Sequence, residues 1–191
     1  MNPLSRRAAG VLLPVSALPG AYGVGDFGPG AFRFADFLAA ARQHYWQILP
    51  LTPTSGATRH SPYHGSSAFA INPLFVSPEL LVADGFLDEG DLDPAPGLPS
   101  DTANYAVAER VRHRAFDTAF SRFEEAGMSD DYRRFCTEQA GWLDDYALFV
   151  CVKRCNNGAA WPEWPPGLRD RVPEALGRAR EQYAGLSLIH I

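Results

Sequence analysis

The stretch GVLLPVSALPGAYGVGDFGPGAFRFADFL, residues 10–38, determines the fold expected for this chain. It opens with a short apolar run, Val11–Leu13, bounded by a glycine and a proline, which predicts a strand buried on both faces. A long loop rich in glycine and proline follows. Four apolar residues then recur at the spacing of one buried helical face: Phe34, Phe37, Leu38 and Ala41.

A second apolar run, Tyr45–Leu51, comes directly after this helical segment and predicts a second buried strand. Strand, helix and strand in this order form a βαβ unit, which requires the two strands to be parallel. We therefore expect an α/β fold class in which a helix at Phe32–His44 packs outside two neighbouring parallel strands.

The segment Gly23–Gly28 has the G-x-G-x-x-G spacing of dinucleotide-binding loops. Such a loop places its first glycine at the strand end and an acid about 20 residues further on. Here Pro14–Tyr22 separates the motif from its strand, and no acid occurs between Asp36 and Glu79. We expect no NAD binding; instead, the glycines should provide positive φ or close backbone approach in a long loop.

Composition restricts the function classes further. The chain has 191 residues and a formal charge of −5 without a basic cluster, which argues against nucleic acid as a partner. The apolar run after the twin arginines near the amino terminus breaks at Pro14, so it predicts a strand and not an export signal. No run approaches the ~20 apolar residues of a membrane span. Free, mostly buried thiols at Cys136, Cys151 and Cys155 would suit a reducing compartment, and we expect a cytoplasmic protein.

The second half of the chain is dominated by helical patterns. An acidic, proline-rich connection at residues 88–101 precedes them and predicts an exposed segment. The first helix should end at Gly127, Ser129 should cap the next, and Pro173 should lie in the first turn of the last. Two apolar faces support these helices: Val107, Val111, Ala115 and Ala119 in the first, and Trp142, Tyr146 and Phe149 in a later one.

A second long loop, Thr52–Pro73, follows the second predicted strand. Its hydroxyl, imidazole and amide groups are uncharged donors and acceptors, and Tyr63 adds a flat ring with a polar tip. This chemistry suits sugar hydroxyls and sugar ring faces, although Tyr63 and His64 could instead only hold the loop in place. His64 has no nucleophile or carboxylate at a recognisable spacing, so we do not expect it to be catalytic.

Several of these segments resemble one known family in order and spacing. They are RAAGVLLPVS from Arg7, LPG from Leu18, YGVGDFG from Tyr22, WQILPL from Trp46, SPY from Ser61, SAFAINP from Ser67, WLDDYALF from Trp142 and WPEWPPGLRDR from Trp161. Together they resemble the amino-terminal part of the 4-α-glucanotransferases, also called amylomaltases or disproportionating enzymes, up to about residue 184.

The resemblance implies the amino-terminal part of a (β/α)8 barrel of the α-amylase superfamily, incomplete in this chain, with an inserted helical subdomain. On this basis residues 1–75 would form the first βαβ unit and active-site loops, 76–155 the insertion and 156–185 the return toward the barrel, while 186–191 could be non-native. The implied activity is transfer of α-1,4-glucan segments to glucose or another glucan, with retained configuration and without cofactor or metal.

The resemblance also assigns candidate binding residues for maltooligosaccharides. Tyr63 matches a tyrosine that stacks on the sugar at the cleavage site, Ser61 lies beside it, and Asp26 is a weaker candidate that would support the loop. The family's catalytic carboxylates come from later strands, so none is expected here. Asp144 and Asp145 cannot replace them, because adjacent helical residues point about 100° apart. A non-catalytic α-glucan-binding protein is the alternative, and no protein partner is inferred.

Overall fold

The structure is a computed structural model that describes residues 7–92 and 102–184. The chain divides into two compact units, Met1–Phe123 and Glu124–Ile191. Each unit has apolar clusters of its own.

The first unit contains a parallel pair of short strands, β1 (Gly10–Leu12) and β2 (Tyr45–Gln47). Gly10 lies opposite Tyr45 and Leu12 opposite Gln47. Helix α1 (Pro29–Ala40) connects the strands, so the predicted parallel βαβ unit is confirmed.

Helix α1 starts at a proline in its first turn, three residues before the predicted start. Its contact face consists of Ala31, Phe34 and Leu38, and Phe34 meets Trp46 of β2 edge-on with ring centroids 5.0 Å apart. The prediction that Phe37 faces inward was wrong, because its side chain is 62% exposed. Adjacent helical residues differ by about 100°, which places Phe37 on the flank of the face that Leu38 occupies.

The prediction that both strands are buried was also wrong. All three residues of β1 are exposed, and Leu12 is 55% exposed. Within the described residues the sheet has two strands, so each strand pairs along one edge only. The apolar cluster forms instead beside the sheet, from Val15, Leu18 and Ala31.

Two further helices belong mainly to the first unit. Helix α2 (Pro78–Ala83) is capped by Ser77, whose Oγ accepts a hydrogen bond from Leu80 N. Helix α3 (Tyr105–Ala126) ends before Gly127, as predicted. Its buried positions are Ala108, Val111, Arg112, Ala115 and Ala119. Most of the predicted connection 88–101 lies outside the described residues.

The second unit contains four α-helices among its described residues: α4 (Asp130–Gln139), α5 (Leu143–Cys155), α6 (Pro166–Arg169) and α7 (Pro173–Gln182). Ser129 Oγ accepts from Tyr132 N at 3.1 Å, and Pro173 occupies the first turn of α7, so both sequence predictions are confirmed. The core cluster joins α5 to α7 through Leu148, Val152, Trp164 and Ala179.

The three cysteines are free thiols. Cys151 is buried and Cys136 half-buried, as expected, but Cys155 at the end of α5 is exposed. Residues 186–191 lie outside the described part of the chain. None of the described helices has the length and apolar character needed to cross a membrane.

Candidate functional site

Two loops leave the carboxyl ends of β1 and β2, residues 13–28 and 48–73. Because parallel strands end at the same edge of a sheet, these loops share one side of the first unit. They enclose a cavity of about 110 Å³ whose polar lining comes from Ser16, Thr52, Thr54, His60, Asn72 and Tyr105.

The glycines of the first loop allow its backbone to approach α3 and neighbouring side chains closely. Gly23 has φ +90°, and its carbonyl oxygen accepts a hydrogen bond from Asn104 N at 2.6 Å. A Cβ atom on Gly28 would lie 2.8 Å from Asp26 Oδ1. The interpretation of the glycines as sites of positive φ and close approach is therefore confirmed.

Asp26 is buried at the end of this loop, and both of its carboxylate oxygens are engaged. Oδ1 accepts from Gly28 N at 2.9 Å, and Oδ2 accepts from Arg112 Nη2 at 2.7 Å. The Arg112 side chain is fully buried. Its Nη1 donates to Tyr22 O at 2.9 Å and its Nε to Val76 O at 3.3 Å. Arg112 thus joins α3 to two separate segments of the first unit.

The electrostatics of this centre follow from one buried cation facing two carboxyl groups. Burial raises the pKa of Asp26 to about 6, against the opposing effects of Arg112 and of the Gly28 N–H, and Glu79 raises it further. Burial also lowers the pKa of Arg112, although Asp26 and Glu79 both favour its charged form. The centre is a structural ion pair whose carboxylate oxygens are already occupied.

Arg112 was missed by the sequence reasoning, which treated this part of α3 as an apolar face. One signal could have revealed it. Ala108, Ala115 and Ala119 surround it at helical spacing and are all buried. Small side chains on the same face leave room for a long side chain to extend into the interior.

The second loop presents the two other candidate residues. The Tyr63 side chain is 71% exposed, whereas Ser61 is half-buried. The turn is fixed by three contacts: His64 N donates to Ser61 O at 3.1 Å, Thr52 Oγ1 donates to Pro62 O at 3.0 Å, and Ser61 Oγ lies 3.1 Å from His64 Nδ1. The exposed Tyr63 ring therefore extends from a turn whose backbone is held by hydrogen bonds.

His60, which the sequence reasoning did not select, is the centre of a network beneath this loop. Thr54 Oγ1 accepts from Asn72 Nδ2 at 3.0 Å and lies 3.3 Å from His60 Nδ1. The imidazole stacks on the Tyr105 ring with centroids 4.1 Å apart and planes 8° apart. Its Nε2 lies 3.8 Å from Glu109 Oε1.

Glu109, His60 and Thr54 follow the acid, histidine and hydroxyl order of a hydrolase triad. The geometry does not support that chemistry. The 3.8 Å separation of Nε2 and Oε1 is too long for a hydrogen bond, and the Thr54 oxygen already accepts from Asn72. We interpret the network as a structural support for the loop.

The open face of the two loops is rich in neutral polar side chains. The second loop combines hydroxyl, imidazole and amide groups with two exposed aromatic rings, Tyr63 and Phe69, and residues 48–73 contain no acid. The described residues contain no cluster of three or more His, Cys, Asp and Glu side chains that could hold a metal ion.

A larger cavity of about 350 Å³ lies in the second unit. Its lining is almost entirely apolar and includes Phe149, Trp161 and Trp164. The nearby Asp145 carboxylate is already bound by Arg171 and Arg180. Because few free polar groups converge on it, the smaller cavity between the loops is the better candidate site.

Comparison with known proteins decides the family. Residues 13–190 match the sequence profile of glycoside hydrolase family 77, described as 4-alpha-glucanotransferase. The chain belongs to this family.

Relatives within the 4-alpha-glucanotransferase family align with nearly the whole chain. A 4-alpha-glucanotransferase from Synechocystis sp. is 42% identical over 176 residues, covering 91% of this chain and 34% of that protein. The chloroplastic/amyloplastic 4-alpha-glucanotransferase of Solanum tuberosum is 38% identical over 181 residues, covering 92% of this chain and 31% of that protein. The chain thus spans about a third of the length of these relatives.

A solved structure of a related protein supports the family assignment. The amylomaltase from Streptococcus agalactiae in complex with acarbose superposes with a TM-score of 0.87 at 32% identity, covering 97% of this chain and 37% of that one. The resemblance found in the sequence is therefore confirmed.

Proposed function

We propose that the protein is a 4-α-glucanotransferase, which moves α-1,4-glucan segments to glucose or to another α-1,4-glucan with retained configuration, and that this chain supplies part of its glucan-binding surface. The observation that carries the proposal is the exposed Tyr63 ring on an anchored loop at the carboxyl edge of the parallel strands. Family membership supports the reaction type.

Tyr63 is the proposed stacking platform for a glucose ring at the cleavage site. A sugar ring has an apolar face, and an aromatic side chain can cover that face while its hydroxyl remains available for hydrogen bonds. Ser61, two residues earlier, would contribute a hydroxyl at the same turn. Asp26 would act indirectly, because its two oxygens are bound to Gly28 and Arg112 and it supports the first loop.

The transfer chemistry requires residues outside these two loops. A retaining mechanism uses a nucleophilic carboxylate and a carboxylic acid about 5–5.5 Å apart. The loops at residues 13–28 and 48–73 contain one acid, Asp26, and it is buried against Arg112. We therefore infer that later parts of the full-length protein supply the catalytic pair.

The same inference extends to architecture. Residues 1–75 would provide the first βαβ unit of a (β/α)8 barrel, 76–155 an inserted helical subdomain and 156–185 the return toward the barrel. The parallel β1–β2 pair and the superposition on an amylomaltase support this assignment. The unpaired edges of the two strands would then pair with further strands of the barrel, and their exposed faces would be covered by its outer helices and interior side chains.

We propose α-1,4-glucans and maltooligosaccharides as the binding partners. A relative of known structure was solved in complex with acarbose, which makes acarbose a suitable probe for this site. A cytoplasmic location is supported by the three free thiols, which fit a reducing compartment.

The direct test is incubation of the full-length protein with maltotriose, followed by separation of the products. Glucose and longer maltooligosaccharides should appear together, because a transferase conserves the number of glycosidic bonds. Binding of acarbose without any turnover would instead identify the non-catalytic glucan-binding alternative.

A further inference from the structure

The segment that precedes Tyr63 contains two consecutive non-glycine residues in the left-handed backbone region. Arg59 has φ +51° and His60 has φ +53°. This conformation is unfavourable for residues with a Cβ and persists only where surrounding contacts enforce it. The Arg59 side chain is exposed, so the turn is held by backbone hydrogen bonds, from Arg59 N to Gly56 O and from His60 N to Ser55 O, and by the contacts of the His60 side chain.

Polar atoms lie near both ring nitrogens of His60. Thr54 Oγ1 accepts a hydrogen bond from Asn72 Nδ2 and lies 3.3 Å from His60 Nδ1, so its own O–H can donate to that nitrogen. With Nδ1 accepting, a neutral imidazole carries its proton on Nε2, the atom that faces Glu109. The His60 side chain is only 10% exposed, so these contacts and the Tyr105 ring nearly enclose it.

The partners of both loops lie on one face of α3. Tyr105, Glu109 and Arg112 are spaced i, i+4 and i+7, which places them in one line along the helix. Tyr105 and Glu109 contact His60 of the second loop, whereas Arg112 binds Asp26 of the first loop. A single helix face therefore supports both loops of the candidate site.

We infer that His60 is a positioning residue, whose clamped imidazole locks the strained turn that carries Ser61 and Tyr63 onto α3 and so presents the Tyr63 ring to a glucan. This inference rests on the proposed glucan-binding role of Tyr63. His60 lines the inner wall of the cavity with a side chain that is only 10% exposed, and the inferred role does not require it to contact the glucan. It acts through the backbone of residues 58–64, where Ser61 N donates to Thr58 O and His64 N donates to Ser61 O.

The first test measures opening of this turn without any sugar. Trypsin can cleave the chain after Arg59 only when the turn leaves its compact conformation, so the cleavage rate reports local opening. His60→Asn tolerates the left-handed backbone but cannot reach Tyr105 or Glu109, so it should raise the rate of cleavage after Arg59 about tenfold. Cleavage after the exposed Arg42, in a different loop, should be unchanged.

Two variants sharpen this test. His44→Asn makes the same substitution at an exposed histidine and should leave cleavage after Arg59 unchanged. His60→Phe keeps a ring for Tyr105 but removes both nitrogen atoms, so it should restore part of the protection. Unchanged cleavage after Arg59 in His60→Asn, or an equal rise after Arg42, would overturn the clamp.

The second test uses the full-length enzyme and a double-mutant comparison on maltotriose. If His60 acts through Tyr63, His60→Asn should lower kcat/KM, and adding it to Tyr63→Ala should cause little further loss. Losses that multiply independently would overturn the positioning role. If Tyr63→Ala alone changes nothing, the proposed role of Tyr63 fails, while the proteolysis result still decides whether the clamp exists.

Discussion

Arg112 Nη2 lies 2.7 Å from Asp26 Oδ2, although the two residues are 86 positions apart in the chain. The pair holds the loop that follows β1 against helix α3. Tyr105, on the same face of α3, stacks on His60 of the loop that follows β2, and Glu109 Oε1 lies 3.8 Å from the Nε2 of that histidine. The shape of the candidate site therefore depends on a helix that carries none of the candidate binding residues Asp26, Ser61 and Tyr63.

Arg112→Met should destabilise the first unit strongly. The substitution leaves the buried Asp26 carboxyl without its cation and leaves the carbonyl groups of Tyr22 and Val76 without their donor. Breaking a buried pair from one side costs about 3–5 kcal/mol in the free energy of unfolding. Urea denaturation measures this loss. Arg110→Met, two residues away on the exposed side of α3, is the matched control and should change stability by about 0.5 kcal/mol or less.

Equal effects of the two arginine substitutions would contradict the assignment of Arg112 as the interior support. Asp26→Asn should lower the free energy of unfolding less than Arg112→Met does at neutral pH. The amide keeps an oxygen for one of the two hydrogen bonds, and Glu79 still partly balances the Arg112 charge.

The stability of the folded chain should depend on the protonation of Asp26. Its folded pKa of about 6 lies above the ordinary value of 3.8, so between these values the folded state binds more protons than the unfolded state. This contribution to the free energy of unfolding is fully present below pH 3.8 and is lost as the pH rises through 6. The slope of the free energy of unfolding against pH should reach at most about 1.4 kcal/mol per pH unit.

Urea denaturation at several pH values between 4 and 7 measures this slope. The Asp26→Asn variant should lack it, since no proton is exchanged at that position. The groups facing Asp26 are Arg112, Glu79 and Tyr22. Glu79→Gln should lower the pKa of Asp26 and so narrow the pH range over which the stability changes. A wild-type slope of the opposite sign that disappears in Asp26→Asn would show that pairing with Arg112 outweighs burial.

Two glycine-to-alanine substitutions should act in opposite directions. Gly28→Ala places a Cβ against the Ser77 hydroxyl and 2.8 Å from Asp26 Oδ1, so it should destabilise by about 1–3 kcal/mol. Gly177→Ala lies within α7 and has nothing within 4 Å, so it should stabilise by about 0.5–1 kcal/mol. Thermal unfolding compares the two, and a stabilising Gly28→Ala would contradict the close packing of the first loop.

Much of this architecture could be predicted from local sequence patterns. The parallel βαβ unit, the carboxyl end of α3 and the Ser129 cap follow from apolar spacing and capping residues, which act within a few positions. The exposure of Leu12 and Phe37 could not be predicted, because burial depends on which other segments cover the sheet and helix. The roles of Arg112 and His60 arise from contacts across tens of residues, which a local pattern does not encode.

The Gly23–Gly28 loop should not bind a dinucleotide. It begins ten residues after Leu13, away from the strand end, and Gly23 and Gly28 are packed against Asn104 and Ser77. Calorimetric titration of NAD or NADP into the chain should give no saturable heat. Saturable binding that Gly25→Val abolishes would contradict this expectation.

The last prediction concerns turnover by the chain and by the full-length enzyme. The 191-residue chain alone should not convert maltotriose, because a double displacement needs two suitably spaced carboxyl groups and Asp26 is the only acid of the two loops. The full-length enzyme should release glucose and form longer oligosaccharides, and Tyr63→Ala should lower its kcat/KM about tenfold or more, as loss of an aromatic contact worth roughly 1–2 kcal/mol predicts. Tyr45→Ala is the control for general loss of an aromatic side chain, because this tyrosine lies in β2, outside both loops. It should lower kcat/KM less than Tyr63→Ala does. Conversion of maltotriose by the purified 191-residue chain would mean that a different pair of acids within it performs the reaction.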